Sequence, residues 1–349
     1  MVTKLLYVFL LMPVFVSAQH IGGYRKKVIS QPLISNRYTS NPAVHVFGNK
    51  IYIYCSQDNE QGIAGSTKGD QYAMRDLFVY TMEDPAGPIT EIGRVLDIKD
   101  IPWASRQLWS TDVAYYKGVY YLYFSIKDKN EVFRIGVATS SNPSGPFKTE
   151  KNPMAFGYSV DPCVFRDDDG SFYLYFGGIR NGQLQKWENN VFNPDGESRT
   201  GDQNAILPRV ARLSADMKQI AEMVREVKIT DAAGNLLEEK DNKKRFSEAT
   251  CVHKYNGKYY LTYSTGETRL IVYAIGDSPY GPFTYRGVLL EAVVGSTSHH
   301  AIINIKGKWY LFYHDSQLSG LGYLRNIRLS ELKYLPDGSI LSIQPNGGK

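Results

Sequence analysis

Five segments of this 349-residue chain place one polar residue directly before an apolar, strand-like run. The segments are SNPAV (40–44), LWSTDV (108–113), SVDPCVF (159–165), RFSEATCVH (245–253) and STSHHAII (296–303). The polar residues in them are Asn41, Asp112, Asp161, Glu248 and His299. A single acid before a strand is usually a solvated turn residue, but five at equivalent positions of a repeat would converge on one place. We therefore expect a functional site where these strands begin.

Three of these residues, Asp112, Asp161 and Glu248, are acids that could act together. Hydrolysis of a glycosidic bond uses two carboxyl groups, one to protonate the leaving oxygen and one to assist water or attack as a nucleophile. A third acid raises the pKa of the proton donor by like-charge repulsion, which keeps the donor protonated near neutral pH. The residue types therefore predict a site that cleaves bonds between sugars.

Two tryptophans, Trp103 and Trp109, flank the second of these segments in IPWASRQLW (101–109). Sugar pockets use aromatic faces because one face of a sugar ring is apolar. We therefore expect Trp103 and Trp109 to bind substrate beside Asp112. Trp309, inside KGKWYLFYH, is expected to pack between strands instead.

The elements that position these residues share a tight turn followed by alternating aromatic residues. The pattern occurs in GNKIYIYCSQD (48–58), KGVYYLYFSIK (117–127), DGSFYLYFGG (169–178), NGKYYLTYSTG (256–266) and KGKWYLFYHDS (306–316). Each turn carries Gly or Asn and follows an apolar run, which predicts a β-hairpin. A further turn is indicated after three of the hairpins by the motifs EDPAGPI (83–89), SNPSGPF (141–147) and DSPYGPF (277–283).

Five repeats of about four short strands predict an all-β fold, a five-bladed β-propeller. A β-sandwich could also hold many hairpins, but it would not repeat the same hairpin and Pro-Gly unit. We expect a single propeller domain over residues 19–349. Residues 180–247 are polar and charged, and we expect them to form a long excursion between the third and fourth blades, with a helical turn in SADMKQIAEMVREV (214–227).

The first 18 residues, MVTKLLYVFLLMPVFVSA, have the pattern of a secretory signal peptide. Lys4 precedes an apolar core and small residues follow it, so we expect cleavage after Ala18. The apolar run is too short to span a bilayer, which needs about 20 residues. We therefore expect an exported protein, periplasmic or extracellular, without a membrane span.

Composition excludes some other classes of function. The net charge of +5 is spread along the chain without a basic block, which argues against nucleic acid as a partner. The three cysteines, Cys55, Cys163 and Cys251, lie far apart without metal-ligand spacing, and each is next to an apolar run. Buried thiols are therefore expected in place of a disulfide framework or a zinc site.

The order of these motifs resembles glycoside hydrolase family 43. The resemblance covers about residues 30–335, and its most specific piece is VDPCVFRDDDGSFYLYFGG (160–178). It implies an inverting, five-bladed propeller enzyme that acts on xylan- and arabinan-type glycans, as a β-xylosidase or an α-L-arabinofuranosidase. Carried over by position, it implies Glu248 as the general acid and Asp161 as the residue that modulates its pKa.

The same resemblance implies further site residues. Trp109 and Asp112 would belong to the sugar pocket, and Arg325 in the last blade would contact substrate. His299 would also lie at the substrate and would hold a structural calcium ion in the central channel, largely through water. The implied partner is an oligosaccharide or polysaccharide.

The chain departs from the family pattern at one position. The family's general base is the Asp of an N-terminal Asp-Pro motif, and the matching residue here is Asn41 in TSNPAV. General-base assistance contributes about 10²–10⁴ in rate. Three hypotheses follow: Asp112 or Asp58 activates the water; Asn41 only positions the water; or the chain is a carbohydrate-binding propeller with weak catalysis.

Overall fold

The computed structural model describes residues 31–61, 66 and 68–345. The predicted signal peptide (1–18) lies outside the described residues. Strands dominate the described part, and its helical segments are the short 3-10 turns Ile98–Asp100, Arg180–Gly182, Leu184–Lys186 and Gly266–Thr268. None of the helices in this part is long and apolar enough to cross a membrane.

The strands are short and follow one another closely along the chain. In order they are β1 (Thr39–Phe47), β2 (Lys50–Gln57), β3 (Asp76–Met82), β4 (Thr90–Asp97), β5 (Ala104–Arg106), β6 (Thr111–Tyr116), β7 (Val119–Asp128), β8 (Phe133–Ser140), β9 (Lys148–Thr149), β10 (Cys163–Arg166), β11 (Phe172–Phe176), β12 (Trp187–Glu188), β13 (Val191–Phe192), β14 (Arg209–Arg212), β15 (Arg225–Glu226), β16 (Ile229–Thr230), β17 (Glu248–Tyr255), β18 (Lys258–Ser264), β19 (Ile271–Gly276), β20 (Phe283–Leu290), β21 (His300–Ile305), β22 (Lys308–Asp315) and β23 (Asn326–Leu332).

Five antiparallel sheets form the blades of a propeller. Their strand orders are β1-β2-β3-β4, β6-β7-β8-β9, β10-β11-β14-β15, β17-β18-β19-β20 and β21-β22-β23. Short extra strands extend two blades, since β5 pairs with β7 and β16 pairs in parallel with β20. The first strands touch in the cyclic order β1, β6, β10, β17, β21 and back to β1, so they surround one axis. The predicted five-bladed β-propeller is confirmed.

Each predicted hairpin joins the first two strands of a blade. In the last blade, for example, His300 of β21 lies opposite Tyr313 of β22 and the pairing runs to the turn. Three of the turns, at Lys117–Gly118, Asn256–Gly257 and Lys306–Gly307, have positive φ at both residues. This backbone matches the right-handed twist of the flanking strands, which explains why Gly is placed there.

The N-terminal segment closes the ring against the last blade. The Leu33 amide donates to the carbonyl of Ile327 at 2.8 Å, and the Thr39 amide donates to the carbonyl of Arg325 at 2.7 Å. The side-chain amide of Asn326 donates to the carbonyl of Ile34 at 2.9 Å. Because the last blade has only three strands of its own, these bonds join the first and last blades into one closed structure.

Tyrosines in the second strands tie each of the first three blades to the next. The Tyr54 hydroxyl donates to the carbonyl of Pro143 in the second blade, at 2.6 Å. The equivalent Tyr123 donates to Met217 of the third blade at 2.7 Å, and Tyr175 donates to the fourth blade at 2.5 Å. Each such bond contributes about 1 kcal/mol net. The alternating aromatic pattern therefore stabilises both the blades and their assembly.

The segment 180–247 was predicted to be an excursion between the third and fourth blades, but it contributes to the third blade itself. It begins after β11 and contains the two outer strands of that blade, β14 and β15. The helical turn predicted over 214–227 is wrong. Asp216 accepts hydrogen bonds from the Ser214 hydroxyl at 2.6 Å and from the Lys218 amide at 3.1 Å, and Met217 between them has φ 63°. Side-chain bonds of this kind compete with helix formation.

The three cysteines are buried free thiols, as predicted. Cys55 is fully enclosed, and Cys163 and Cys251 lie on the inner strands β10 and β17. Each sits among apolar neighbours of the hydrophobic core. They contribute packing to the blades.

Candidate active site

A cavity of about 250 Å³ lies where the inner strands begin. Four of the five predicted polar residues line it: Asn41, Asp161, Glu248 and His299. Trp109 and Arg325, both predicted to contact substrate, line it as well. The convergence expected from the sequence is therefore present for every member of the set except Asp112.

Irregular backbone turns these side chains into the cavity. The pairing of β1 with β2 shifts register between Ser40 and Ala43, and Asn41 between them has φ 52°. The pairing of β17 with β18 shifts directly after Glu248, where Ala249 has φ 60°. Such bulges re-aim a side chain at the end of a strand. A left-handed alanine costs about 1–3 kcal/mol, which is a sign of a conformation imposed by its surroundings.

Asp161 is fixed by hydrogen bonds from two neighbouring blades. Its Oδ1 accepts from the Ser110 hydroxyl at 2.5 Å, and its Oδ2 accepts from the Ala249 amide at 2.8 Å. The Asp161 amide donates back to the Ser110 hydroxyl at 3.0 Å. The carboxylate is thereby held beside the residue that follows Glu248 along the chain.

Glu248 is the strongly perturbed acid of the cavity. Burial raises its pKa most, and the negative charge of Asp161 raises it further, to about 8. The positive charges of Arg325 and Arg180 act in the opposite direction. Glu248 therefore carries its proton at neutral pH, which is the state that a general acid requires.

Asn41 is held by hydrogen bonds with His314, Ser56 and Arg325. Its amide N–H donates to Nδ1 of His314 at 3.1 Å, and its side-chain nitrogen donates to the Ser56 hydroxyl at 3.4 Å. Its side-chain oxygen accepts from Nη1 of Arg325 at 3.5 Å. The Ser56 hydroxyl donates to the carbonyl of Trp109, so it accepts from the amide. This arrangement suits an amide, and an amide cannot take a proton from water.

Asp58 is engaged by Arg325 and does not line the cavity. Its Oδ1 accepts from Nη2 of Arg325 at 2.7 Å and from the Ser40 hydroxyl at 2.8 Å. Its Oδ2 accepts from Nε and the backbone amide of Arg325 at 2.9 and 2.8 Å. With four bonds and 1% side-chain exposure, the carboxylate has no place for a water to activate. The hypothesis of Asp58 as the base lacks support.

The structure corrects the placement of Asp112, which lies inside β6. Its Oδ1 lies 2.6 Å from Nε2 of His45 and accepts from the Val113 amide, and its Oδ2 accepts from the Val164 amide at 2.6 Å. Asp112 thus ties the first three blades together and is not among the residues that line the cavity. Ser110, two residues earlier, occupies the position at the cavity through its bonds to Asp161.

Of the three tryptophans considered in the sequence analysis, Trp109 lines the cavity, whereas Trp103 and Trp309 pack against other rings. Trp109 lines the cavity, and its indole N–H donates to the carbonyl of Tyr72 at 2.9 Å. Trp103 instead stacks on Phe124 with ring centroids 6.0 Å apart, away from the cavity, so the substrate contact predicted for it is not supported. Trp309 packs against His253, as expected of a residue between strands.

His299 lies beside Asp161, with its Nε2 3.7 Å from the carboxylate. Burial lowers the pKa of His299, so its ring is neutral at pH 7. Its Nδ1 is buried without a hydrogen-bond partner. Calcium takes six to eight oxygen ligands, and the described residues contain no group of three or more His, Cys, Asp or Glu side chains that could hold a metal ion. The side chains at His299 therefore do not form a coordination set for calcium.

Several cavity residues escaped the sequence analysis, and two charged ones among them, Arg180 and Glu267, come from loops. Arg180 belongs to the segment after β11, and Glu267 belongs to the segment after β18. They form an ion pair with each other at the rim. Their sequence surroundings carry no strand periodicity that could have placed them near Glu248.

Comparisons with known proteins identify the family of this chain. A family model described as glycosyl hydrolases family 43 matches residues 29–340. A xylosidase/arabinosidase of Bacteroides ovatus is 52% identical over 314 residues, which are 89% of this chain and 97% of the relative. A xylosidase/arabinosidase 43A of Humicola insolens is 50% identical over 325 residues, which are 90% and 99% of the two chains.

A solved structure shares the fold closely. CoXyl43, a GH43 β-xylosidase/α-arabinofuranosidase from a compost microbial metagenome, was determined with xylotriose in a calcium-free form. It superposes with a TM-score of 0.88 at 52% identity, and the match covers 90% of this chain and 97% of that chain.

Proposed function

Because this chain belongs to glycosyl hydrolases family 43, as its motif order predicted, we propose that it hydrolyses xylosidic or arabinofuranosidic bonds in xylan- or arabinan-type oligosaccharides. The observation that carries the proposal is a protonated Glu248 beside a fixed Asp161 in a cavity at the mouth of the propeller. The relatives from Bacteroides ovatus and Humicola insolens, both xylosidase/arabinosidases, support this substrate class.

Glu248 acts as the general acid of the proposed reaction. It donates its proton to the leaving oxygen as the bond to the sugar breaks, and Asp161 keeps it protonated beforehand by repulsion. A water attacks the opposite face of the sugar, which inverts the anomeric carbon. Arg325, held by Asp58, offers fixed hydrogen-bond donors at the cavity wall.

The water-attacking side has no carboxylate of its own. Among the described residues, the acids that line the cavity are Asp161, Glu248 and Glu267, and Glu267 is paired with Arg180. Asn41 comes from the first blade, which is not adjacent to the fourth blade in the ring. We infer that the Asn41 side-chain oxygen positions the water without removing its proton. That proton passes to solvent water as the water attacks, so the hydrolysis is slow.

This same observation favours a second candidate function. A propeller with a complete acid side and an amide at the water side would bind glycans and hydrolyse them weakly. The two functions differ in the rate of sugar release from a bound substrate. They share the cavity and the substrate class.

The test is sugar release from arabinofuranosides, xylosides, galactosides and xylooligosaccharides by the mature protein. Glu248→Gln and Asn41→Asp variants are assayed alongside, and binding of xylotriose is measured for each. Release that disappears in Glu248→Gln establishes the hydrolase and identifies its sugar. No release by the parent, with xylotriose bound equally by parent and variants, would leave the binding function.

Export and calcium also belong to the proposal. We propose cleavage after Ala18, which rests on the signal-peptide pattern of residues 1–18. A mature N-terminus at Gln19 in protein recovered from the periplasm or medium would support export, and an intact Met1 there would contradict it. Any calcium ion at His299 would be held largely through water, and no step of the reaction above depends on it.

A further inference from the structure

Two loops of neighbouring blades meet across the rim of the cavity beside Glu248. Arg180 begins the 3-10 turn after β11, and Glu267 lies in the 3-10 turn after β18. Nη2 of Arg180 and Oε1 of Glu267 form an ion pair. Both side chains line the cavity, yet they are 51% and 56% exposed, so they face the cavity and the solvent at once.

Both loops pack against Ser247, the residue before Glu248. The Ile179 amide donates to the Ser247 carbonyl at 2.8 Å, which fixes the start of the Arg180 loop. On the other side, a Cβ on Gly266 would lie 2.5 Å from the Ser247 hydroxyl, so only glycine allows this approach. The ion pair is therefore held in a defined position relative to the general acid.

The backbone of Arg180 also indicates a constrained position. Its φ is 59°, which is uncommon for a residue with a side chain. Its carbonyl accepts from the Gln183 amide at 2.9 Å and from the side chain of Gln185 at 3.0 Å. Residues held in this region cluster at binding sites, where surrounding bonds maintain the conformation.

Glu248 protonates the oxygen that joins the leaving sugar to the sugar held in the cavity, so the leaving sugar lies next to Glu248. Arg180 and Glu267 are charged side chains of the cavity lining that reach from there to solvent. We propose that Arg180 and Glu267 form the wall that binds the leaving sugar, and that they determine specificity on that side of the scissile bond. This inference rests on the proposed function. Guanidinium N–H groups donate to sugar hydroxyls, and a carboxylate accepts from them, so the pair offers both kinds of partner.

The positive charge of Arg180 also affects the pKa of Glu248. The charged groups that affect Glu248 are Asp161, which raises its pKa, and Arg325 and Arg180, which lower it. His299 nearby is neutral because burial lowers its pKa. Removing the charge of Arg180 therefore raises the pKa of Glu248. Neutralising Glu267 breaks the same ion pair but leaves that positive charge in place.

The test compares binding of xylose, xylobiose and xylotriose by calorimetry in a Glu248→Gln background, which prevents hydrolysis. Arg180→Gln and Glu267→Gln are added singly and together. Each single change should weaken the binding of xylobiose and xylotriose by about tenfold, which corresponds to the loss of one charged hydrogen bond. The affinity for xylose should stay unchanged. The double change should weaken them no more than the larger single change, because the two residues act as a unit.

Equal weakening of xylose and xylotriose would show that the pair supports the cavity as a whole, and unchanged xylotriose binding would show no contact with the leaving sugar. Either result overturns the proposal. If the parent binds no xylooligosaccharide, both the proposed function and the proposed role of Arg180 and Glu267 are contradicted. If the parent binds xylotriose but the variants do not lose affinity for it relative to xylose, only the role of Arg180 and Glu267 is contradicted. Unfolding midpoints serve as the control and should stay unchanged, because an exposed ion pair contributes little to stability.

A second measurement tests whether Arg180 acts on Glu248 through its charge or only supports the shape of the cavity. With Glu248 intact, the alkaline limb of kcat/KM for an aryl xyloside should move to higher pH in Arg180→Gln, because the acid keeps its proton longer. The Glu267→Gln variant, which breaks the same ion pair, should not move the limb upward. Identical profiles for the two variants would contradict the electrostatic role of Arg180.

Discussion

The two sides of the cavity are built alike but differ in chemistry. On the acid side, the third and fourth blades supply Asp161 and Glu248 from irregular strand starts. On the water side, the first blade supplies Asn41 from an equivalent bulge in β1. Both sides fix their polar group with buried hydrogen bonds from adjacent blades. The acid side holds two carboxyl groups, and the water side holds an amide.

This difference shows that the geometry of the water side does not depend on a charge at position 41. Arg325, whose guanidinium donates to Asn41, is already neutralised by Asp58 through two hydrogen bonds from the same guanidinium. The Asn41 side chain therefore meets a balanced pair and needs no charge of its own. Since Asn and Asp both tolerate left-handed backbone, the bulge accepts either residue.

The largest expected effect comes from completing the water side. Asn41→Asp places a carboxylate where the amide now accepts from Arg325, so a general base becomes available. We expect kcat for xylobiose to rise by about 10²–10⁴. Initial rates of xylose release measure this change.

The control for this gain is the Asn41→Asp, Glu248→Gln double variant, in which the new base has no acid partner. Its rate on xylobiose should fall back to that of the Glu248→Gln variant. A rate for Asn41→Asp equal to the parent rate would mean that water is activated elsewhere, and the contrast between the two sides would disappear.

The second effect concerns stability on the water side. Asp58→Asn removes the buried partner of Arg325 and leaves a guanidinium with 4% side-chain exposure unpaired. Breaking such a pair costs about 3–5 kcal/mol. Urea denaturation should show this loss in the free energy of unfolding. Asp202→Asn, which breaks an exposed ion pair with Lys240, is the matched control and should change it by less than about 1 kcal/mol.

The third effect is a pH dependence of stability that arises from Glu248 on the acid side. Because the folded pKa of Glu248 is about 8 and its ordinary value is 4.5, the native state binds one proton more than the unfolded state between these values. The free energy of unfolding contributed by Glu248 therefore falls as pH rises through this window. Glu248→Gln should be more stable than the parent at pH 8 and lose that advantage near pH 4.5.

The same group sets the expected activity profile. Hydrolysis requires a protonated Glu248, so the rate should decline above about pH 8 in the parent. Chemical denaturation and kcat/KM across pH 4–9 give the two profiles. A Glu248→Gln variant with the parent's pH dependence of stability would show that Glu248 is not the buried acid that the structure indicates.

Much of this contrast was predictable from the sequence because its signals are local. A turn such as Asn256–Gly257 between alternating aromatic residues specifies a hairpin, and the motif order then places Asn41, Asp161 and Glu248 at equivalent strand starts. The amide at Asn41 is visible in the sequence itself. Local chemistry and periodicity therefore sufficed for the blades and for both sides of the cavity.

Other features depend on relations between blades that no local pattern encodes. Asp112 was misplaced because the second blade presents Ser110 at the cavity and carries Asp112 two residues deeper, facing neighbouring blades. Trp103 stacks within its own blade on Phe124. The helical turn predicted over 214–227 was wrong because the sequence there has a helix-like pattern. The backbone conformation is determined instead by side-chain hydrogen bonds to the backbone and by the pairing of β14 with β15.

The smallest expected effect tests whether the two sides are equally well tied into the ring. Tyr175→Phe removes the bond from the third blade to the fourth, on the acid side, and Tyr54→Phe removes the equivalent bond from the first blade to the second. Each should lower the free energy of unfolding by about 1 kcal/mol. Neither hydroxyl lines the cavity, so kcat should stay unchanged in both. A fall in kcat for Tyr175→Phe alone would show that the acid side depends on the seating of its blades, whereas the water side is positioned by its own bulge and its contacts with Arg325.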